Sequence, residues 1–127
     1  MRKCANMYID SLKKTTTLSG RACRKEFWFS WLCNTVAFIV VFMILVFLQS
    51  MFQPPESAVM IIYALVWVVF VFLNFSVSVR RLHDTNHSGL YLILGVLIPP
   101  IGPFILLIAF LLKGTPGENK YGPNPRL

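Results

Sequence analysis

The sequence predicts an all-α, multi-spanning membrane protein with two full helical spans and a third apolar segment broken by proline. Three observations carry this. Residues 27–52 and 58–79 contain no Asp, Glu, Lys or Arg, and each stretch exceeds the roughly 20 residues that a helix needs to cross about 30 Å of hydrocarbon. Residues 90–112 are also free of charge, but their middle reads Pro99-Pro100-Ile101-Gly102-Pro103. The cations gather beside these stretches rather than within them, as the positive-inside rule expects.

The 127 residues leave room for one membrane domain, and 56% hydrophobic with 13% charged residues lies on the apolar side of soluble averages. A net charge of +7 suits nucleic acid in principle, yet no recognisable reading module is present. Anionic membrane lipids are therefore the expected partners, and nucleic acid is not. Cys4, Cys23 and Cys33 are odd in number and lack a CxxC or zinc-ribbon spacing, so reduced thiols are expected, with Cys33 packing in the first span as a small apolar residue.

The leader, residues 1–26, carries Arg2, Lys3, Lys13, Lys14, Arg21, Arg24 and Lys25 against Asp10 and Glu26. It is expected in the cytoplasm, and the pattern of a cleavable signal peptide is missing. Tyr8, Ile9 and Leu12 recur at helical spacing, which suits either a short helix on the inner membrane surface or a disordered leader. Thr15-Thr16-Thr17-Leu18-Ser19-Gly20 breaks the pattern, and Ser19 is the expected N-cap of a helix starting near Gly20. On that helix Arg21, Arg24, Lys25 and Trp28 share a face, as an interface anchor or as a headgroup site.

The first span, 27–52, ends at Gln53-Pro54-Pro55-Glu56-Ser57, an outer turn without Lys or Arg. The second span, 58–79, returns to the cytoplasm. Ser30 with Asn34, and Asn74 with Ser78, place polar groups on these antiparallel helices, the asparagines roughly 7 to 11 Å below the cytoplasmic end. They read as interhelical polar contacts, or as a polar pocket.

A charged hinge follows at 80–89, Arg80-Arg81-Leu82-His83-Asp84-Thr85-Asn86-His87-Ser88-Gly89. The third apolar segment, 90–112, should then form two half-helices, 90–98 and 104–112, each about 13 Å long. They either continue as a broken span or fold back as a re-entrant hairpin. The tail, 113–127, carries Lys113, Lys120 and Arg126 against Glu118, which favours a cytoplasmic C-terminus and hence the hairpin. Its tip must be covered by protein, since free backbone groups cannot face lipid. Gly114 suits the C′ position of the last helix and Lys113 its negative end. The tail holds no GxxxxGK[ST] loop.

Three blocks stand out: Ser19-Gly20-Arg21-Ala22-Cys23-Arg24-Lys25-Glu26-Phe27-Trp28; Arg80-Arg81-Leu82-His83-Asp84-Thr85 with Ser88-Gly89; and Lys113-Gly114-Thr115-Pro116-Gly117-Glu118-Asn119. In order and spacing they resemble the domain of unknown function 805 family of small bacterial inner-membrane proteins, over nearly the whole chain. The resemblance implies a bacterial inner-membrane location and a multi-span helical fold, and it implies no activity. The chain departs from the family pattern at Asn86 and His87, where glycine and often a cation are usual, and at Leu90 and Tyr91, where a tryptophan pair is common.

His83-Asp84-Thr85-Asn86-His87 looks like the zincin HExxH with Asp for Glu. The turn-prone residues around it, the shorter acid and the lack of a third ligand at any recognisable spacing argue against a metal. Asp84 is better read as the counter-ion of a cytoplasmic-face charge cluster, or of a lipid-headgroup site, formed by Arg21, Arg24, Lys25, Glu26, Arg80, Arg81, His83, Asp84 and Glu118. No catalytic, cofactor-binding or metal residue is expected. The functional expectation is a non-enzymatic interaction or anionic-lipid-responsive module, working as a homo-oligomer or with a membrane-protein partner. The alternatives are a small oligomeric transporter or channel, motivated by the broken segment and the asparagines, and a membrane enzyme using Asp84 and His83.

Overall fold

The computed structural model describes residues 2–125, with side chains from residue 8 onward. The side chains of Arg2, Lys3 and Cys4, and Arg126 in the tail, lie outside the described residues. Five helices follow in order: α1 (Arg2–Lys13), α2 (Arg24–Phe52), α3 (Glu56–Asp84), α4 (Leu90–Leu97) and α5 (Ile101–Leu111).

Helices α2 and α3 have 29 residues each, about 43 Å at 1.5 Å per residue. The turn between them is made at Gln53, which caps α2 in the left-handed region at φ 44°. They pack as an antiparallel pair, with Phe38 against Phe70 at 4.6 Å and Phe42 against Tyr63 at 5.3 Å between ring centres. The most apolar windows of the two helices are only 6% and 0% buried within the protein. A soluble core helix would hide that surface, whereas hydrocarbon solvates it without cost.

At the N-terminus of α2 the structure corrects the sequence. The helix begins at Arg24, not near Gly20, and its N-cap is Cys23 in extended conformation, not Ser19. Gly20 turns the chain at φ 90°, and the Ala22 N–H then donates to the Arg80 carbonyl at the end of α3, 2.9 Å away. That bond holds residues 21–23 out of the helix. Arg21 therefore leaves the face it was expected to share with Arg24, Lys25 and Trp28.

Helix α3 continues through Asp84, so the expected hinge shrinks to 85–89, where Asn86 reverses the chain at φ 63°. Helices α4 and α5 fold back on each other. A Cβ on Gly95 would lie 2.3 Å from Leu106, and one on Gly102 would lie 2.0 Å from the Gly95 carbonyl oxygen. In a continuous helix Gly95 and Leu106 would stand about 16 Å apart. Helix α5 starts at Ile101 rather than Phe104 because Pro103 falls in its first turn, where the missing N–H has no intrahelical partner to lose.

The small apolar core lies at one end of the bundle, where α2 starts and α3 and α5 end. It comprises Ala22, Phe27 and Val77, with Trp28 and Phe110 packed on it, and the Phe27 and Phe110 rings are 4.5 Å apart. Helix α1 packs along α2. The loop after it is tied down by the Ser76 hydroxyl, which lies 2.9 Å from the Thr17 carbonyl oxygen and 3.1 Å from that of Lys14.

Candidate functional site

The last turn of any helix leaves its carbonyls without intrahelical donors. In α3 the leader and the tail supply them. Besides Ala22 on Arg80, the Asn119 amide donates to the His83 carbonyl at 2.9 Å, and the Thr115 N–H donates to the Asp84 carbonyl at 2.8 Å. Residues more than 30 positions apart in sequence are thereby bound to one helix end.

Asp84 lies at the centre of this junction and is fully buried. Its Oδ1 accepts from Arg21 Nε at 3.1 Å and Nη2 at 2.9 Å, while its Oδ2 accepts from Arg81 Nη1. Both arginines go on to backbone carbonyls. Arg21 donates to Gly117 and Thr115 of the tail, each at 2.7 Å. Arg81 donates to Phe110 at 3.2 Å and to Leu112, and Arg24 donates to Leu112 at 2.9 Å and to Leu111. Two guanidiniums thus cap the C-terminus of α5, where the helix dipole favours positive charge. Arg21, Arg81 and Asp84, with side chains 0–1% exposed, have the satisfied hydrogen bonding that buried charges require.

A second pair lies beside it. Arg80 donates to Glu26 at 2.7 Å and to the Ser11 hydroxyl of α1 at 3.3 Å. One and two turns further along α2 come Ser30 and Asn34. Asn34 meets Asn74 at 3.4 Å and accepts from the Tyr8 hydroxyl at 2.8 Å. The expected interhelical contact is present for the two asparagines, with Tyr8 as an additional member. It is not formed by the serines. The Ser78 hydroxyl donates within α3 to Asn74 at 2.7 Å, and the buried Ser30 hydroxyl has no hydrogen-bond partner among the described residues.

Other expected members lie elsewhere. Lys25 and Glu118 are exposed and stand outside these ion pairs. Arg24 binds carbonyls rather than a carboxylate. His83 stacks flat on Tyr121, 3.8 Å between ring centres and 3° from parallel, with its Nδ1 3.2 Å from the Gly20 carbonyl oxygen. Burial pushes its pKa below the usual histidine value; the Gly20 hydrogen bond opposes that shift and Lys120 adds to it. His87 turns instead to the Thr85 hydroxyl at 3.1 Å and to the edge of Tyr91. Because the helix stops at Asp84, the two histidines do not share the helical face that a zincin pair uses.

Sequence reasoning missed Gly114, Thr115, Asn119 and Tyr121. Gly114 is not a left-handed helix cap. Helix α5 ends at Leu112 in extended conformation, and Gly114 is needed because its backbone lies against the Asp84 carboxylate. The signal was present in the third block, Lys113-Gly114-Thr115-Pro116-Gly117-Glu118-Asn119, but its small and polar residues read as turn formers.

The class that these features define is a helical membrane protein whose leader, third segment and tail meet on the charged end of its second long helix. The chain belongs to the family described as "Protein of unknown function (DUF805)", whose model matches residues 15–123. It is similar to inner membrane protein YhaH of Escherichia coli (strain K12), 37% identical over 121 residues that cover 94% of this chain and 96% of the relative. It is also similar to inner membrane protein YhaI of the same strain, 34% identical over 119 residues and 94% of each chain. No solved structure matches it.

Proposed function

We propose that this chain is a non-enzymatic, multi-pass inner-membrane module that responds to anionic lipid. In this reading α2 and α3 cross the bilayer, and the α4–α5 hairpin enters and leaves by the cytoplasmic face. Both termini lie on that side. A buried clasp centred on Asp84 then holds the cytoplasmic surface in one shape, and the exposed cations around it meet the anionic headgroups.

One observation carries the non-enzymatic part: the conspicuous charged side chains are occupied within the chain. Asp84 is fully buried and both its oxygens accept from arginine, which puts it out of reach of a substrate proton. His83 is covered by Tyr121 and bonded to Gly20. The same occupancy shifts the lipid-facing role from Arg21, Arg80 and Arg81 to cations outside the clasp. Lys13, Lys14, Lys25 and Lys113 are all exposed.

The test is the thermal stability of purified protein in vesicles of phosphatidylcholine alone and with about one-fifth phosphatidylglycerol, at low and high salt. Stabilisation by phosphatidylglycerol that salt weakens is the expected result. Equal stability in both lipids would contradict the proposal.

A further inference from the structure

We propose that a groove of about 530 Å³ at the start of α2, lined by Cys23, Arg24, Lys25, Lys113 and Pro125, holds the phosphate of one anionic phospholipid. This rests on the lipid-responsive reading above and narrows it to a single site. Three cations from two separate segments line the groove, and among the described residues no carboxylate does. Glu26, the acid nearest in sequence, is turned onto Arg80 at 2.7 Å. Arg24 cannot swing away, since its guanidinium is fixed on the Leu111 and Leu112 carbonyls. Cys23 makes no side-chain cap, so the unpaired first-turn N–H groups and the positive dipole end of α2 add to the field at the same place.

The residues next to these cations in sequence favour a lipid over a free ion. Trp28 and Trp31 follow Arg24 at i+4 and i+7 on α2, with rings 6.2 Å apart in edge contact, and tryptophan prefers the headgroup boundary. Leu111 and Leu112, whose carbonyls anchor Arg24, are 52% and 47% exposed. The cations of the groove thus adjoin exposed apolar side chains in both segments, along which acyl chains can descend, and a soluble phosphate would leave those side chains bare.

The experiment uses the full chain with Trp67→Phe, reconstituted in phosphatidylcholine vesicles with about one-fifth phosphatidylglycerol, so that fluorescence reports Trp28 and Trp31. Brominated phosphatidylglycerol should quench at least about twice as strongly as brominated phosphatidylcholine at equal mole fraction. Lys25→Gln with Lys113→Gln should lower that preference about tenfold in apparent affinity, an effect that salt screens in part. The pair Lys13→Gln with Lys14→Gln, which removes the same charge from the exposed surface outside the groove, should lower it by less than about threefold.

Equal loss in both double variants would overturn the groove while leaving the broader anionic-surface reading intact. A parent protein with no phosphatidylglycerol preference would overturn both. A soluble arm adds inorganic phosphate at millimolar concentration. No relief of quenching supports the lipid, and full relief overturns it in favour of a soluble phosphate. Circular dichroism of each variant shows that it is folded.

Discussion

Gly114 and Asp84 touch, backbone to carboxylate: a Cβ on Gly114 would lie 1.9 Å from Oδ2 and 2.4 Å from Cγ. The carboxylate cannot step aside, because Arg21 and Arg81 hold its two oxygens from other directions. Gly114→Ala should therefore cost about 1 to 3 kcal/mol, the range for forcing a methyl group into a packed interior. A thermal melt in detergent checks this. A melting temperature equal to that of the parent would mean that the tail does not seat where the structure puts it.

Removing the charge at the centre should do more damage than removing it at the edge. Asp84→Asn leaves Arg21 and Arg81 buried without their counter-ion, at a cost of about 3 to 5 kcal/mol. Glu26→Gln breaks a pair whose acid is 13% exposed, so water can solvate part of what is lost and the cost should be smaller. Denaturation of the two variants in the same detergent gives the order. A larger effect from Glu26→Gln would place the centre of the clasp wrongly.

Arg81→Lys keeps the charge and loses the fork. A single ammonium cannot reach Asp84, Phe110 and Leu112 together as the guanidinium does. The prediction is local loosening, with faster hydrogen exchange across 104–115 and little change in the outer halves of α2 and α3. Uniform exchange throughout would argue that Arg81 does not hold α5.

His83 gives a pH dependence of definite sign. Burial lowers its folded-state pKa below the ordinary value of 6.5, so the unfolded chain binds the proton more readily. The stability contributed by neutral His83 is present above that value. It is lost as pH falls through about 6.5 and stops changing below the lower folded pKa. Melts between pH 8 and pH 5 should slope downward, and His83→Gln should flatten the slope. An unaltered slope in the variant would assign the effect to other groups.

Much of this architecture is legible in the amino-acid sequence, because charge-free length is a strong signal. Residues 27–52 and 58–79 emerge as parts of two long helices, and the Pro99 to Pro103 run does interrupt the third segment. What the sequence conceals is where helices end when distant segments supply the hydrogen bonds. Arg21 reads as helical by spacing, and only the Ala22 bond to Arg80 takes it out of α2. Arg81 reads only as a cation beside Asp84, because its carbonyl acceptors at Phe110 and Leu112 leave no mark in a sequence. Lys25 and Glu118 look equivalent to Arg21 and Asp84 by charge, and their exposure follows from geometry that spacing does not encode. Asp84 was recognisable as a counter-ion, whereas its closest backbone neighbour, Gly114, was hidden among turn residues.

The side of the membrane that holds the C-terminus tests the clasp most directly. Arg21 reaches Asp84, Thr115 and Gly117 together only if leader, α3 end and tail share one face. Fusions at Leu127 to a fluorescent protein that matures in the cytoplasm and to a phosphatase active only outside it report that side in intact cells. The clasp predicts fluorescence and an inactive phosphatase. An active phosphatase with a dark fluorescent fusion would place the tail outside, out of reach of Arg21, and contradict it.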